Sequence, residues 1–477
     1  MNNYPEIKFF VGGQWVAGVE HMPIVNPATD EQIGSLPLAD NGLLDDAISA
    51  AQDGFKTWCR FSPMQRGQIM RHAAQLMRER SEEIANSIAL ELGKPIQQAR
   101  AEVIRGCEFF EWDAAEGQRL YGRVIPGSAG IRHMVIRQPI GPVAAFSPWN
   151  FPMSQPARKI AGALAAGCSV VLKPAEETPA GAVHIAKAFE DAGLPAGVLN
   201  LVFGVPSDIS GHLIPNDKMR LVAFTGSTAV GRHLTNMASQ HMTPVLMELG
   251  GHAPVIVCDD VDPRSTAQLS AVRKMRNSGQ VCTSPTRFFV AENLHASFAE
   301  HFVAKVNAMK MGDPLDSETE IGPLAHKGRL EAVQTFVDDA VERGATLLAG
   351  GQRHPGEGYF FQPTVLSNVP DDALIMHEEP FGPVAILNTV ESVEEAIEKA
   401  NSVAYGLAAY GFTHSAANAD MLVEGIEAGN LSINTLEASL PETPFGGVKS
   451  SGYGREGGDE GLHHYTVVKN VSHKMQI

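Results

Sequence analysis

Val143-Ala144-Ala145-Phe146, Ser169-Val170-Val171-Leu172, Leu199-Asn200-Leu201-Val202-Phe203 and Leu221-Val222-Ala223-Phe224 are four short apolar runs. The segments between them have helical character, over about 155–167, 179–193 (with Thr178 as the expected cap) and up to about 214. A further helix is expected over 227–239. Apolar strands alternating with amphipathic helices specify a parallel sheet covered on both faces. Ligands bind such sheets outside the carboxyl ends of the strands. At those ends stand Trp149, Asn150, Lys173, Glu176, Gly204 and Gly226.

Upstream, residues 7–38 read as short strands and turns, and a first helix opens near Asn41. A longer helix is expected from Ser62 to Leu92. Ser62 can cap it, Pro63 fits its first position, Gln65 can reach back, and Gly93 with Pro95 ends it. Another helical stretch runs through Phe109, Phe110 and Trp112 to about Gly117. Residues 122–138 then change to extended segments, Arg123-Val124-Ile125 and His133-Met134-Val135-Ile136-Arg137. Downstream of Glu248 the strand–helix alternation resumes. Val255-Ile256-Val257 is a strand, helices fall near 263–277 and 292–309, and Val384-Ala385-Ile386-Leu387 is a strand. Further elements continue to about 435. Gly446-Gly447 and the glycine-rich run 452–461 read as loops.

At 477 residues, 44% hydrophobic and 19% charged, the chain has room for two or three domains and an ordinary globular balance. A formal net charge of −17 argues against nucleic acid or an anionic membrane as partner. No apolar run reaches the length of a membrane span, and Met1-Asn2-Asn3-Tyr4-Pro5-Glu6 lacks the basic start and apolar core of a signal peptide. The five cysteines, at 59, 107, 168, 258 and 282, include no C-x-x-C pair. They point to reduced thiols in a cytosolic compartment. No metal-ligand spacing is present, and the adjacent His463 and His464 read as a solvated or helix-end pair.

Arg276-Asn277-Ser278-Gly279-Gln280-Val281-Cys282-Thr283-Ser284-Pro285-Thr286-Arg287 places Cys282 on a tight connection between a helix and a strand. Such a turn exposes the sulfur while both flanks hold it, which suits a nucleophile. Gly226-Ser227-Thr228-Ala229-Val230-Gly231 follows a strand and opens a helix, so its amides can meet an anionic pyrophosphate. It is not the common G-x-G-x-x-G fingerprint. Glu248 ends the apolar run Val245-Leu246-Met247, a setting that raises a carboxyl pKa.

Met247-Glu248-Leu249-Gly250-Gly251-His252, Pro148-Trp149-Asn150-Phe151-Pro152, Phe224-Thr225-Gly226-Ser227-Thr228 and Gly279-Gln280-Val281-Cys282 together resemble the aldehyde dehydrogenase superfamily. The resemblance runs from Asn26-Pro27-Ala28-Thr29 to Pro444-Phe445-Gly446-Gly447-Val448-Lys449. It implies an α/β fold of two doubly wound parallel-sheet domains with a small β arm. The Rossmann-like NAD domain would take residues 1–121 and 142–248, the catalytic domain 249–450, and the oligomerisation arm 122–141 with 465–477. It further implies a homodimer or homotetramer.

By the same resemblance Cys282 is the nucleophile, Asn150 the oxyanion donor, and Glu248 the base that activates water. Retention of Glu248 points to release of a free acid rather than transfer to coenzyme A. NAD would be held by Trp149, Lys173, Glu176, Gly204, Gly226, Ser227, Glu379 and Phe381. A carboxylate at 176 would repel a 2′-phosphate and so favour NAD over NADP. The pattern Arg-Asn-x-Gly-Gln-Val-Cys-x-Ser-Pro-Thr-Arg resembles α-ketoglutaric semialdehyde dehydrogenases, and the arginine positions are also similar to those of succinate semialdehyde dehydrogenases. Arg158 and Arg276 are therefore candidates to bind a distal substrate carboxylate, with Gln155, Ser154 and Ser439 beside them. The alternative is that each arginine pairs with an internal Asp or Glu. Other readings are an aromatic or otherwise anionic aldehyde as substrate, a catalytically silent binding relative, or an esterase.

Overall fold

The computed structural model describes residues 4–475. Residues 1–3, and residues 476–477 of the expected arm, lie outside the described residues. The four apolar runs form neighbouring strands Val143–Phe146, Val170–Lys173, Leu199–Leu201 and Leu221–Thr225, joined by Val245–Glu248. Across the sheet these five parallel strands follow the order 199, 170, 143, 221, 245. The sequence moves outward in one direction from Val143–Phe146, then returns to its other side at Leu221–Thr225. The topological switch point therefore lies between those two strands, and a crevice opens where neighbouring crossovers diverge. Trp149 and Asn150 leave one strand there, and Gly226 and Ser227 leave the other.

Antiparallel strands border this sheet on both edges. Phe9–Val11 and Gln14–Val16 form one edge, and Gly452–Tyr453 pairs with Met247 and Glu248 on the other. The last pairing corrects the expectation that 452–461 is all loop. Gly452 has φ +111°, a conformation that lets its backbone approach Met247 closely without a Cβ in the way. The same run also carries the short helix Glu460–His463.

A second sheet has the order Thr346–Ala349, Thr364–Ser367, Val384–Val390, Arg287–Ala291, Pro254–Val257, Ala408–Phe412, Asn430–Ile433, and is parallel apart from its first strand. Glu248 ends a strand of the first sheet and Pro254 begins one of the second. The short connection 249–253 thus carries the chain from the carboxyl end of one sheet to the amino end of the other. Cys282 precedes Arg287–Ala291, so it faces the same gap.

Two helix expectations change. The stretch 62–92 is two helices, Pro63–Glu79 and Ser81–Leu92. Arg80, at φ −99° and ψ 14°, leaves the helical region between them and donates to Asp191 at 2.7 Å. The expected capping box at Ser62 and Gln65 is present. Thr178 does not cap the helix Ala180–Asp191. Its hydroxyl donates to the Trp149 carbonyl at 3.2 Å, and the buried Glu91 carboxyl accepts from Ala180 N–H at 3.0 Å instead.

Strand Ile131–Pro139 pairs antiparallel with both Arg123–Ile125 and Thr466–Lys474, forming a separate three-stranded sheet. No helix among the described residues is long and apolar enough to cross a membrane.

Candidate active site

The helix Pro263–Met275 was expected to reach residue 277, but stops about two turns short of the nucleophile. Asn277 (φ 50°) and Ser278 (φ 54°) turn left-handed, and Gly279 follows at φ 72°. Two non-glycine residues in this region store on the order of 1–3 kcal/mol each. Hydrogen bonds hold them there: Ser278 Oγ donates to Gly322 O at 2.7 Å, and Gln98 Oε1 accepts from Asn277 N–H at 2.7 Å. Cys282 then sits in a turn closed by Ser284 N–H on the Val281 carbonyl at 2.9 Å.

That turn is fixed from three sides. Tyr410 Oη donates to Thr283 O at 2.7 Å. Lys274 Nζ, fully buried, donates to Ser284 Oγ at 3.1 Å and Thr286 Oγ1 at 3.0 Å. Gly251 lies so close that a Cβ there would stand 2.5 Å from the Cys282 carbonyl oxygen. The thiol is half-buried. Burial pushes its pKa up to about 12, Glu379 and Glu248 add to the effect, and Arg158 opposes it.

Two cavities meet at Cys282 and Gln155. The first, about 470 Å³, is lined by Trp149, Asn150, Gly226, Ser227, Glu379 and Phe381 among others. It lies at the switch point. The helix Thr228–Ser239, with Ser227 as its N-cap, turns its first residues Thr228 and Ala229 into the wall. Trp149 and Phe381 meet edge to face, with centroids 5.3 Å apart. Glu379 Oε1 has no hydrogen-bond partner, and burial pushes this carboxyl up to about 8. Lys173, Glu176 and Gly204 lie outside this lining. Lys173 and Glu176 form an ion pair at the end of Val170–Lys173, and Gly204 packs against Leu38 and Ala39. His326 and Arg329 also line this wall and were not singled out from sequence.

The second cavity, about 280 Å³, is lined by Arg158, Arg276, Gln155, Ser154 and Ser439, and also by Arg105 and Arg273. Arg273 is one helical turn before Arg276, a spacing that could have revealed it. Arg105 and Arg273 have acidic partners, Glu108 at 3.0 Å and Glu437 at 3.7 Å. Arg158 and Arg276 have no ion-pair partner among the described residues. Arg158 Nη2 donates to Ser439 Oγ at 2.6 Å, Nη1 is buried without a partner, and the guanidinium lies 4.1 Å over the Phe109 ring. Arg276 stands 5.5 Å over Phe151, and burial pulls its pKa down to about 10.

Asn150 Nδ2 donates to Gln280 O at 3.1 Å. A carbonyl can only accept, so this bond fixes which way round the amide lies, and its second N–H stays free. Glu248 lines neither cavity. Both carboxyl oxygens are buried without partners, and a Cβ on Gly446 would stand 2.7 Å from Oε1. Burial and the neighbouring Glu456 hold its pKa well above the usual carboxylate range, against Lys159 and Arg158. Glu456 itself accepts from Lys159 Nζ at 2.8 Å.

Comparisons with known proteins identify the family. The model of the aldehyde dehydrogenase family matches residues 15–471. A putative 4-(hydroxymethyl)benzenesulfonate dehydrogenase, TsaD2, of Comamonas testosteroni is 43% identical over 97% of each chain. The NADP(+) succinate-semialdehyde dehydrogenase GabD of Escherichia coli K12 is 39% identical over 96% of each. A crystal structure described as an E. coli NADP dependent enzyme superposes with a TM-score of 0.97, at 38% identity and 99% coverage of both chains. A cysteine on a rigid turn between two largely parallel sheets, in a chain matched over nearly its whole length, makes this chain a member of the aldehyde dehydrogenase family and an oxidoreductase with aldehyde dehydrogenase activity.

Proposed function

We propose that the chain oxidises an ω-oxo carboxylate, such as succinate semialdehyde or α-ketoglutaric semialdehyde, to the corresponding acid, with NAD preferred over NADP. The observation that carries this reading is a pair of guanidinium groups outside any ion pair, Arg158 and Arg276, in the same small cavity as Cys282. Neither guanidinium is engaged in a direct ion pair, and a substrate carboxylate would supply one with a planar two-point fit. The 280 Å³ volume is near the small end of ligand sites, roughly 300–1,000 Å³, and suits a short substrate.

The first cavity fits a dinucleotide. Gly226, Ser227 and the amides that open the Thr228–Ser239 helix would meet the pyrophosphate, and Glu379, with one oxygen free, would accept from the nicotinamide ribose. Trp149 and Phe381 would wall the ring. Lys173 and Glu176, and Gly204 beyond the cavity wall, would meet the adenosine end of the cofactor. When bound, the nicotinamide supplies the hydride acceptor.

Cys282 Sγ gives up its proton to solvent and bonds to the aldehyde carbon, whose carbonyl electron pair moves onto the oxygen. The oxygen of the resulting thiohemiacetal accepts from Asn150 Nδ2 and the Cys282 amide, and one such donor lowers a barrier by about 2.7–4 kcal/mol. Departure of hydride from that carbon leaves a thioester on Sγ. Glu248, once ionised, takes a proton from the water that attacks the thioester, releasing the acid and restoring the thiol.

A second substrate reading is an aromatic sulfonated aldehyde. Phe109, Phe151 and Phe445 share the arginine cavity, and the name of the Comamonas relative points the same way. For assembly, we propose a homodimer or homotetramer through the three-stranded arm, which leaves Val124 67% and Val468 61% exposed. The five unbridged cysteines favour a cytoplasmic setting.

Cys282→Ala tests the chemistry. Aldehyde oxidation should vanish while NAD still binds, measured by titration calorimetry. Retained turnover would remove Cys282 from the nucleophile's role.

A further inference from the structure

The main-chain carbonyl of Asn150 accepts two hydrogen bonds from two distant parts of the chain. Lys94 Nζ donates to it at 2.9 Å and Asn277 Nδ2 at 3.1 Å. Asn277 Nδ2 also donates, at 3.2 Å, to the Gln280 carbonyl that receives the side chain of Asn150. The two asparagine amides thus share one acceptor. All of these acceptors are carbonyls, so the Asn277 amide can lie only one way round.

Neither donor is free to drift. Asn277 is held left-handed, and its own carbonyl accepts from Gln280 Nε2 at 3.1 Å. Lys94 is fully buried, ion-paired with Glu102, and lies 3.9 Å over the Phe151 ring. Glu102 Oε1 in turn accepts from Met153 N–H at 2.9 Å and Ser154 N–H at 3.1 Å, at the start of the helix that carries Gln155 and Arg158. One connected set of bonds therefore links the cysteine turn, the Asn150 loop and the arginine helix.

We propose that Asn277 and Lys94 are positioning residues that clamp the Asn150 main chain, so that the free N–H of its side-chain amide is held toward the oxygen bonded to the Cys282-linked carbon. This inference rests on the reading of Asn150 as the oxyanion donor. Preorganised donors are effective because they need no rearrangement as charge develops, and a small displacement of the donor forfeits much of that benefit.

The test is a double-mutant cycle read by the rate of the first NADH turnover. Asn277→Gly removes the carboxamide while glycine accepts the positive φ without strain. Losing a whole oxyanion donor costs about 10²–10³-fold, and a loosened one should lose part of that, so a tenfold or greater fall is expected. Alkylation of Cys282 by iodoacetamide uses no oxyanion donor and should keep its wild-type rate, as should NAD affinity. In the Asn150→Ala background, Asn277→Gly should slow the reaction no further. Lys94→Met combined with Glu102→Gln approaches the same carbonyl from another element and should behave alike, which covers the case of one variant failing to fold. Undiminished NADH formation in the Asn277 variant, or a loss that simply multiplies with that of Asn150→Ala, would overturn the clamp. An Asn150→Ala enzyme with wild-type rates would instead overturn the oxyanion reading beneath it.

Discussion

Arg276→Ala separates a substrate-binding cation from a structural one. The guanidinium makes no ion pair, and burial lowers its pKa to about 10, so the folded protein holds this charge at a cost. Hydrogen bonds to charged groups contribute about 1.5–3 kcal/mol, which corresponds to roughly 10- to 150-fold in kcat/KM. The loss should fall on succinate semialdehyde and leave butanal, an aldehyde of the same chain length without the carboxylate, unchanged. Thermal stability without substrate should hold or rise, because removing this half-buried guanidinium, which makes no ion pair, leaves no orphaned counter-ion. Arg276→Lys keeps the charge but loses the planar fork, and should recover only part of the activity. Equal losses on both aldehydes, or a fall in Tm as large as that of a broken buried ion pair, would refute the reasoning.

Two other outcomes follow from the site. The Glu248 carboxyl is held well above its usual pKa, so it is neutral at low pH and gains its base function only as pH rises through the raised value. Glu248→Gln should release one equivalent of NADH and then stall at every pH, and the wild-type enzyme should approach that behaviour on acidification, measured by stopped flow. Glu176→Ser removes the carboxylate beside Lys173 and should raise kcat/KM for NADP relative to NAD, as the 2′-phosphate is no longer repelled.

The parallel sheet was legible because both of its faces are covered. Val143–Phe146 and Leu221–Thr225 carry no polar alternation, so strand and helix could be told apart by length and flanking turns. The break at Arg80 was not, since neither glycine nor proline marks it and the residue leaves the helix to meet Asp191 in a distant helix. The left-handed Asn277 and Ser278 escaped for a similar reason. Their conformation is imposed by Gln98, Gly322 and Asn150, all remote in sequence. The arginine cavity was half legible. Arg158 and Arg276 stand near the recognisable motifs, whereas Arg105 comes from a helix whose apolar spacing reads only as core. That Arg158 and Arg276 lack acidic partners is a tertiary fact that no local pattern contains.

The most direct measurement is kcat/KM with NAD for succinate semialdehyde, α-ketoglutaric semialdehyde, butanal and benzaldehyde under one set of conditions. A preference of tenfold or more for the carboxylated pair, about 1.4 kcal/mol of transition-state binding, is the predicted result. A preference for butanal or benzaldehyde would contradict it and would make Arg158 and Arg276 structural cations in a pocket built for apolar aldehydes.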